Sequence, residues 1–454
     1  MARPSFHLEA IHRIRDPIYG YIRLTDSELK IVDTPVFQRL RRIGQLALTK
    51  YVYPTAEHSR FVHSLGVLQA ATNIFTEVLG FNPQLRKGDE KVLLQDLKTL
   101  RFAALLHDIG HMPFSHAAEK FFLSDGDEDT THEDIGKYVI RNCTEITEQI
   151  EKCDIDPNAV ASLLKGKCTQ RLAILKKFIS GEFDADRADY LLRDSYFCGV
   201  KYGEYDYIRY AGSFRIVDDE DGQRKFAVER GNLHAVEAFL LARYHYYLQV
   251  PFHRTRRGYD LVLHRYFEDL QERGDLPDTG VTASSNGLRI DFDCFQFLDD
   301  YTIFELIKQD MANGNPWAKI LMRQDRLHPI FDTEKESEGN ENDFLDLQGD
   351  LEKADLKPNH DYFTFSKRIE VHTILEKSDE KGENTYPVVD KAQDGKIVGT
   401  ILDHSSLLDS TRDKPAHIRR IYVTTSAKSK AEKALACLNQ RIKAREEKKK
   451  GRIS

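Results

Sequence analysis

The sequence predicts a mainly α-helical protein with a short N-terminal β-hairpin and a small α+β C-terminal region. Three observations predict it. Apolar residues recur at intervals of three and four through most of the first 310 or so residues. Two short alternating runs flank an Asp-Pro turn within residues 11–24. Beyond about residue 357, brief strand-like runs between turn signals replace the helical period.

Composition sets the outer bounds. The 454 residues suffice for two or three domains, and 41% hydrophobic with 31% charged residues describes an ordinary globular chain with a sizeable core. A net charge of −7 excludes a basic footprint over the whole chain, so any nucleic-acid contact would have to come from a local segment. The six cysteines (Cys143, Cys153, Cys168, Cys198, Cys294 and Cys437) form no C-x-x-C pair and read as reduced thiols. Met1-Ala2-Arg3-Pro4-Ser5 has no signal-peptide apolar core, and no run approaches the ~18 apolar residues a membrane span needs. The expectation is a soluble, cytoplasmic protein.

In chain order, residues 11–24 form the hairpin. Leu29, Val32, Phe37, Leu40, Ile43 and Leu46 then follow helical spacing, broken at Pro35, with Arg39, Arg41 and Arg42 on a solvated face. His63 stands near the start of an apolar helix through Leu68, Ala71, Ile74 and Val78. The run Phe102–Leu106 is a buried helix that delivers His107-Asp108-Ile109-Gly110-His111-Met112-Pro113-Phe114-Ser115-His116 to a cleft, with Gly110 and Pro113 stopping it and Ser115 capping the next helix. Residues 124–131 read as an acidic surface loop, and His132 opens another helix. Residues 158–198 are helical and contain Asp184-Ala185-Asp186-Arg187-Ala188-Asp189-Tyr190. A second hairpin spans 213–230, and a Tyr-rich helix runs from Leu233 to Val250. Residues 331–356 are acidic and polar, which predicts a linker or loop. The strand-like runs of 357–427 form a small α+β appendage, and 428–454 is a basic helical tail with a solvated surface. The expected divisions are therefore 1–50, 51–330, 331–356, 357–427 and 428–454.

The chemistry concentrates on His63, His107, Asp108 and Asp186. Neighbours on a helix point about 100° apart, so His107 and Asp108 share one metal only if it lies against the helix and other segments complete the set. Two imidazoles and two carboxylates suit Mn, Fe, Zn, Ni or Co, with Mg as a companion ion, and the lack of thiolates argues against structural zinc. Such a site acts on phosphate esters. His116, oriented by Glu119, is placed as proton donor to a leaving oxygen, with His111 and His132 as further candidates. Arg60, Arg187 and Arg243 suit a polyphosphate. Tyr190 has the shape to exclude a 2′-hydroxyl.

These motifs are ordered. Asp16-Pro17-Ile18-Tyr19-Gly20, Asp33–Arg41, Arg60–Val67, His107–His116, Thr131-His132-Glu133 and Asp184–Tyr190 follow one another. In that order they resemble the HD-domain deoxynucleoside triphosphate triphosphohydrolases, whose signature is H…HD…D, over roughly residues 10–260. The resemblance includes the vertebrate sterile-alpha-motif and HD-domain enzyme, although no sterile-alpha-motif domain fits before residue 10. It implies a helical HD fold and hydrolysis of a dNTP to deoxynucleoside and inorganic triphosphate. It assigns His63, His107, Asp108 and Asp186 to the metal and His116, Glu119, His132 and His111 to catalysis. Arg60, Arg187, Tyr190 and Arg243 would hold the triphosphate, and Gln45, Tyr190 and Asp194 the sugar. It further implies a homo-oligomer, dimer or tetramer, with an activating nucleotide on Asp33, Gln38 and Arg41. Glu119 stands where the vertebrate enzyme has Asp, and His12 where the family has a regulatory lysine. Two other readings compete: the same fold acting on another nucleotide or a nucleic-acid end, and a nucleic-acid-binding scaffold working through the basic tail.

Overall fold

A computed structural model describes residues 8–82, 89–122, 130–219, 222–284, 287–333, 338–372, 374, 386–393, 395–412 and 414–450. The chain forms two units. The first holds Met1–Gln249, Leu276–Ile303 and His372–Ser410, and the second holds Val250–Asp275, Phe304–Val371 and Thr411–Ser454.

In the first unit the hairpin pairs β1 (His12–Asp16) with β2 (Gly20–Leu24), His12 lying opposite Leu24. Asp16 closes the turn by accepting the amides of Ile18 and Tyr19, both at 2.9 Å. Helix α1 (Asp26–Val32) starts at a capping box between Thr25 and Glu28. Two long helices carry the core: α2 (Arg60–Phe81) and α3 (Glu90–Leu106). Val67, Leu68, Ala71 and Ile74 on the first, and Ala103, Leu105 and Leu106 on the second, are wholly buried. Helix α2 is buried along most of its length and α3 from Leu97 onward, which explains why their apolar residues do not form one narrow stripe. Around them lie α4 (His132–Asn142), α5 (Ala185–Cys198) and α6 (Leu233–Gln249).

The expected hairpin at 213–230 is present as Phe214–Asp218 and Arg224–Glu229, antiparallel, although residues 220–221 of its turn lie outside the described residues. Arg224–Glu229 also pairs in parallel with Pro387–Asp390, and Lys396–Thr400 completes a four-stranded sheet. Residues His372–Ser410 thus belong to the first unit rather than to a separate 357–427 appendage. The parallel pairing links positions far apart in sequence, which no local pattern announces. After Thr400 the chain turns helical at Ile401–His404.

The second unit contains the helix Arg254–Arg273 and a three-stranded antiparallel sheet with Ala416–Val423 between His328–Thr333 and Tyr362–Ile369. The acidic stretch 331–356 is not a linker: it finishes a strand and then forms the helix Glu338–Lys353. Phe344, Leu347 and Leu351 turn inward and pack in one core with Ala431, Ala434 and Leu438 of the helix Lys428–Lys450. The tail is correspondingly not solvated all round. Arg441 pairs with Asp350, and Arg445 with Asp343 and Asp346, so acidic helix and basic helix neutralise each other. Most of the acidic loop expected at 124–131, and residues 334–337, lie outside the described residues. No helix among the described residues is long and apolar enough to cross a membrane.

Candidate active site

Helix α3 ends at Leu106, earlier than Gly110 or Pro113 would suggest, and His107 is its C-cap. Its Nδ1 lies 2.8 Å from the carbonyl of Ala104, a contact that requires Nδ1 to donate and leaves Nε2 with its lone pair outward. His63, at the first turn of α2, is held in the same way: Nδ1 sits 2.8 Å from Asp189 Oδ2. Asp189 is fixed in turn by Arg193, and Arg193 by Asp16 of the hairpin turn at 2.7 Å. Gly66 permits this arrangement, because a Cβ there would stand 2.0 Å from Asp189 Oδ1.

The two Nε2 atoms converge at 3.3 Å. Asp186 Oδ1 is 3.0 Å from His63 Nε2 and 3.9 Å from His107 Nε2. Asp108 closes the set, with Oδ1 3.2 Å from His107 Nε2 and Oδ2 3.7 Å from His63 Nε2. Nε2 of both imidazoles and the Asp186 carboxylate group closely, with Asp108 beside them, and this donor set fits a divalent transition cation once His63 gives up its proton; the anchored Nδ1 atoms are the supports such ligands need. Burial works against the charge of Asp186, yet His63 holds its carboxyl down at about 2. Burial also works against the charge of Asp108, but Arg60 and neighbouring imidazoles hold it well below the usual carboxylate range.

Beside this centre lies a second group: His111, His116, Glu119 and His132. Glu119 gathers all three imidazoles, with Nδ1 of His111 at 2.5 Å, of His116 at 3.2 Å and of His132 at 3.3 Å. Burial opposes its ionisation, but these contacts hold its carboxyl far below the ordinary range. Burial, with Arg60 next, pushes His111 down to about 3. The rings of His111 and His132 stack at 3.9 Å, and His111 Nε2 touches Asp108 Oδ1 at 3.1 Å, so the two groups share a wall. His116 differs from the others in its exposure: 70% of its side chain is open to solvent. The close packing follows from Gly110, where a Cβ would meet the carbonyl of His132 at 2.0 Å. Ser115 does not cap a helix. It is the first residue of a short 3₁₀ turn, Ser115–Ala117; its hydroxyl accepts from Arg60 Nε at 2.7 Å, and the next α-helix begins at Glu119.

The expected ligand-contacting residues divide. Arg187, at the start of α5, is partly exposed, and its guanidinium bonds Asp184 and the carbonyl of Gly181. Tyr190 is half-buried with its hydroxyl 3.1 Å from that of Tyr247. Gln45 has a buried Oε1 without a partner among the described residues. Arg243 is buried against Glu182 at 2.8 Å. Asp194 is buried, with its oxygens paired to His58, at 2.7 Å, and to the Tyr246 hydroxyl. Arg60 is likewise buried and paired, with Asp108 at 2.5 Å and with Ser115. Asp33, Gln38 and Arg41 cluster near the end of α1: Gln38 donates to Val32 O, and Arg41 Nε to Gln38 Oε1 at 2.7 Å. His12 is paired with Asp26 at 2.6 Å.

Sequence reasoning missed the supports: Asp189, Arg193, Asp16 and Glu182. Asp189 and Arg193 were legible as an i,i+4 pair on the helix of Asp186, since such spacing brings acid and base together. Asp16 had no local signal.

This geometry coincides with a known domain: residues 60–193 match the HD domain. More particularly, the chain is similar to the deoxynucleoside triphosphate triphosphohydrolase SAMHD1 of Bos taurus, 32% identical over 251 residues, covering 49% of this chain and 41% of that protein. It is also similar to the uncharacterized protein YwfO of Bacillus subtilis, 35% identical over 265 residues, 58% of this chain and 57% of that one. The chain thus spans about half the length of these curated relatives. The crystal structure of a hypothetical protein from Aquifex aeolicus superposes with a TM-score of 0.73 at 29% identity, covering 93% of this chain and 99% of that one.

Proposed function

We propose that the protein hydrolyses dNTPs to deoxynucleoside and inorganic triphosphate. One observation carries the reading: the grouped donors of His63, His107 and Asp186, with Asp108 beside them, lie against a separate imidazole group whose outermost member, His116, is exposed. A divalent transition cation there, Mn, Fe, Zn, Ni or Co, with Mg as a companion, supplies Lewis acidity toward a phosphoryl oxygen and lowers the pKa of water. As a water oxygen bonds to Pα and the Pα–O5′ bond breaks, His116, anchored through Nδ1 to Glu119, has Nε2 left to give a proton to the leaving 5′-oxygen. His111 and His132 fix Glu119 and so fix His116. Arg187, at the start of α5, and Arg243, on α6, offer charge to the triphosphate. Tyr190 packs against C2′ of the sugar, and Gln45 offers its unsatisfied oxygen to a sugar hydroxyl. An activating nucleotide bound by Asp33, Gln38 and Arg41, in a homo-oligomer, completes the proposal. The named activity of the SAMHD1 relatives supports the choice of substrate.

Paired substitutions test it. His107→Ala is expected to lose both tight metal binding and turnover. His116→Ala is expected to keep the metal while kcat falls about 10²- to 10⁴-fold, the range for a lost general acid. Full turnover by the His116 variant would contradict the assignment.

A further inference from the structure

We propose that Asp300 is a positioning residue of the active centre. Its two carboxylate oxygens set the spacing between the chain entering α2 and the turn at Phe114–Ser115. It lies outside the matched domain, more than a hundred residues beyond it in sequence, and touches none of the metal-site donors.

The geometry is direct. Asp300 Oδ1 accepts the amide of Phe114 at 2.7 Å, and Oδ2 accepts the amide of Gly44 at 2.9 Å. Gly44 bridges to Ser59, while Ile43 O accepts from Arg60 N at 2.9 Å and Gln45 N donates to His58 O at 3.0 Å. Wherever Gly44 goes, the start of α2 goes, and with it Arg60 and His63. On the other side, Phe114 and Ser115 have φ of +55° and +51°, a left-handed conformation that two consecutive non-glycine residues adopt only when held there. That turn presents the Ser115 hydroxyl to Arg60 and carries His116 beside Glu119. Arg60, which grips Asp108, therefore spans both arms that Asp300 joins. Arg39 repeats the tie, donating to Leu298 O at 2.6 Å and to His111 O at 2.5 Å. The burial of Asp300, only 8% exposed and facing two amides, requires an acceptor at each oxygen. Asparagine has the same size but one acceptor, and it would set an amide N–H against a backbone N–H.

The inference rests on reading the centre as catalytic, and Asp300→Asn tests it. Purified wild type and variant would be loaded with Mn²⁺ and compared in kcat, KM, bound Mn²⁺ and melting temperature. The ring ¹⁵N resonances of His111 and His116 would be recorded in the metal-free proteins. The expected result is a loss in kcat of about 100-fold per folded molecule, the scale of an ångström-sized misplacement. KM should stay within about twofold, Mn²⁺ stoichiometry should be unchanged, and both histidine resonances should shift. Unchanged kcat per folded molecule overturns the proposal, whatever the resonances do. If the wild type hydrolyses no nucleotide, the proposed function fails by itself and the resonances decide: displaced signals sustain the positioning role and unmoved signals overturn it. Should Asp300→Asn not fold, Asp300→Glu, which keeps both oxygens one methylene further out, is read in the same way.

Discussion

At the scale of single residues, the centre is defined by what holds its donors before any ion arrives. Burial disfavours a charge on His63, but Asp186 and Asp189, one on each ring nitrogen, hold its pKa up to about 10. A proton therefore sits on this imidazole across the neutral range, and an entering cation must displace it. The sign follows: below about pH 10 the apparent metal affinity rises with pH, by about tenfold per unit for one displaced proton. Calorimetric titration with Mn²⁺ in buffers of different ionisation enthalpy should show release of a proton, and a pH-independent affinity would contradict the arrangement. Tyr190 supports a second prediction. Its ring is held near Tyr246 and Tyr247, and on the proposed reading it packs against C2′ of the sugar. Tyr190→Ala should lower the dGTP-to-GTP turnover ratio by about 10-fold or more, since filled volume at one carbon is worth roughly 1–3 kcal/mol. An unchanged ratio would remove Tyr190 from sugar selection.

At the scale of elements, the site is a meeting of helix ends. Helix α3 ends at Leu106 with His107 as its cap, α2 has His63 in its first turn and α5 begins beside Asp186, so three termini meet at the site. The approach of α2 to α5 depends on Gly66, which leaves space for the Asp189–Arg193 pair. Gly66→Ala should destabilise the protein by about 1–3 kcal/mol, the usual cost of overpacking, and should weaken metal binding because Asp189 orients His63. Thermal melting with and without Mn²⁺ measures both effects. Much of this was legible in the sequence. The four donors sit at helix boundaries marked by histidine and aspartate, and the strands at 12–24 and 214–229 followed from alternation and turn residues. What was illegible arose from long-range contact. The end of α3 at Leu106 is set by the fold of the next turn rather than by Gly110, and the left-handed backbone at Phe114 gives no compositional signal.

At the scale of the whole molecule, sequence separation hides membership. Residues His372–Ser410 return to the first unit through a parallel strand pairing, and Tyr386 reaches the amide of Glu182 at 3.0 Å, next to the segment that carries Asp184 and Arg187. The acidic stretch and the basic tail each looked solvated in isolation because charge dominates their composition. Each has an apolar face, and the second unit buries those faces against one another. The most direct measurement is to incubate the Mn²⁺-loaded protein with each dNTP and identify the phosphorus-containing product by ³¹P NMR. The account predicts inorganic triphosphate with unphosphorylated deoxynucleoside. Release of pyrophosphate or orthophosphate as the first product, or no turnover with any dNTP and any candidate activating nucleotide, would contradict it.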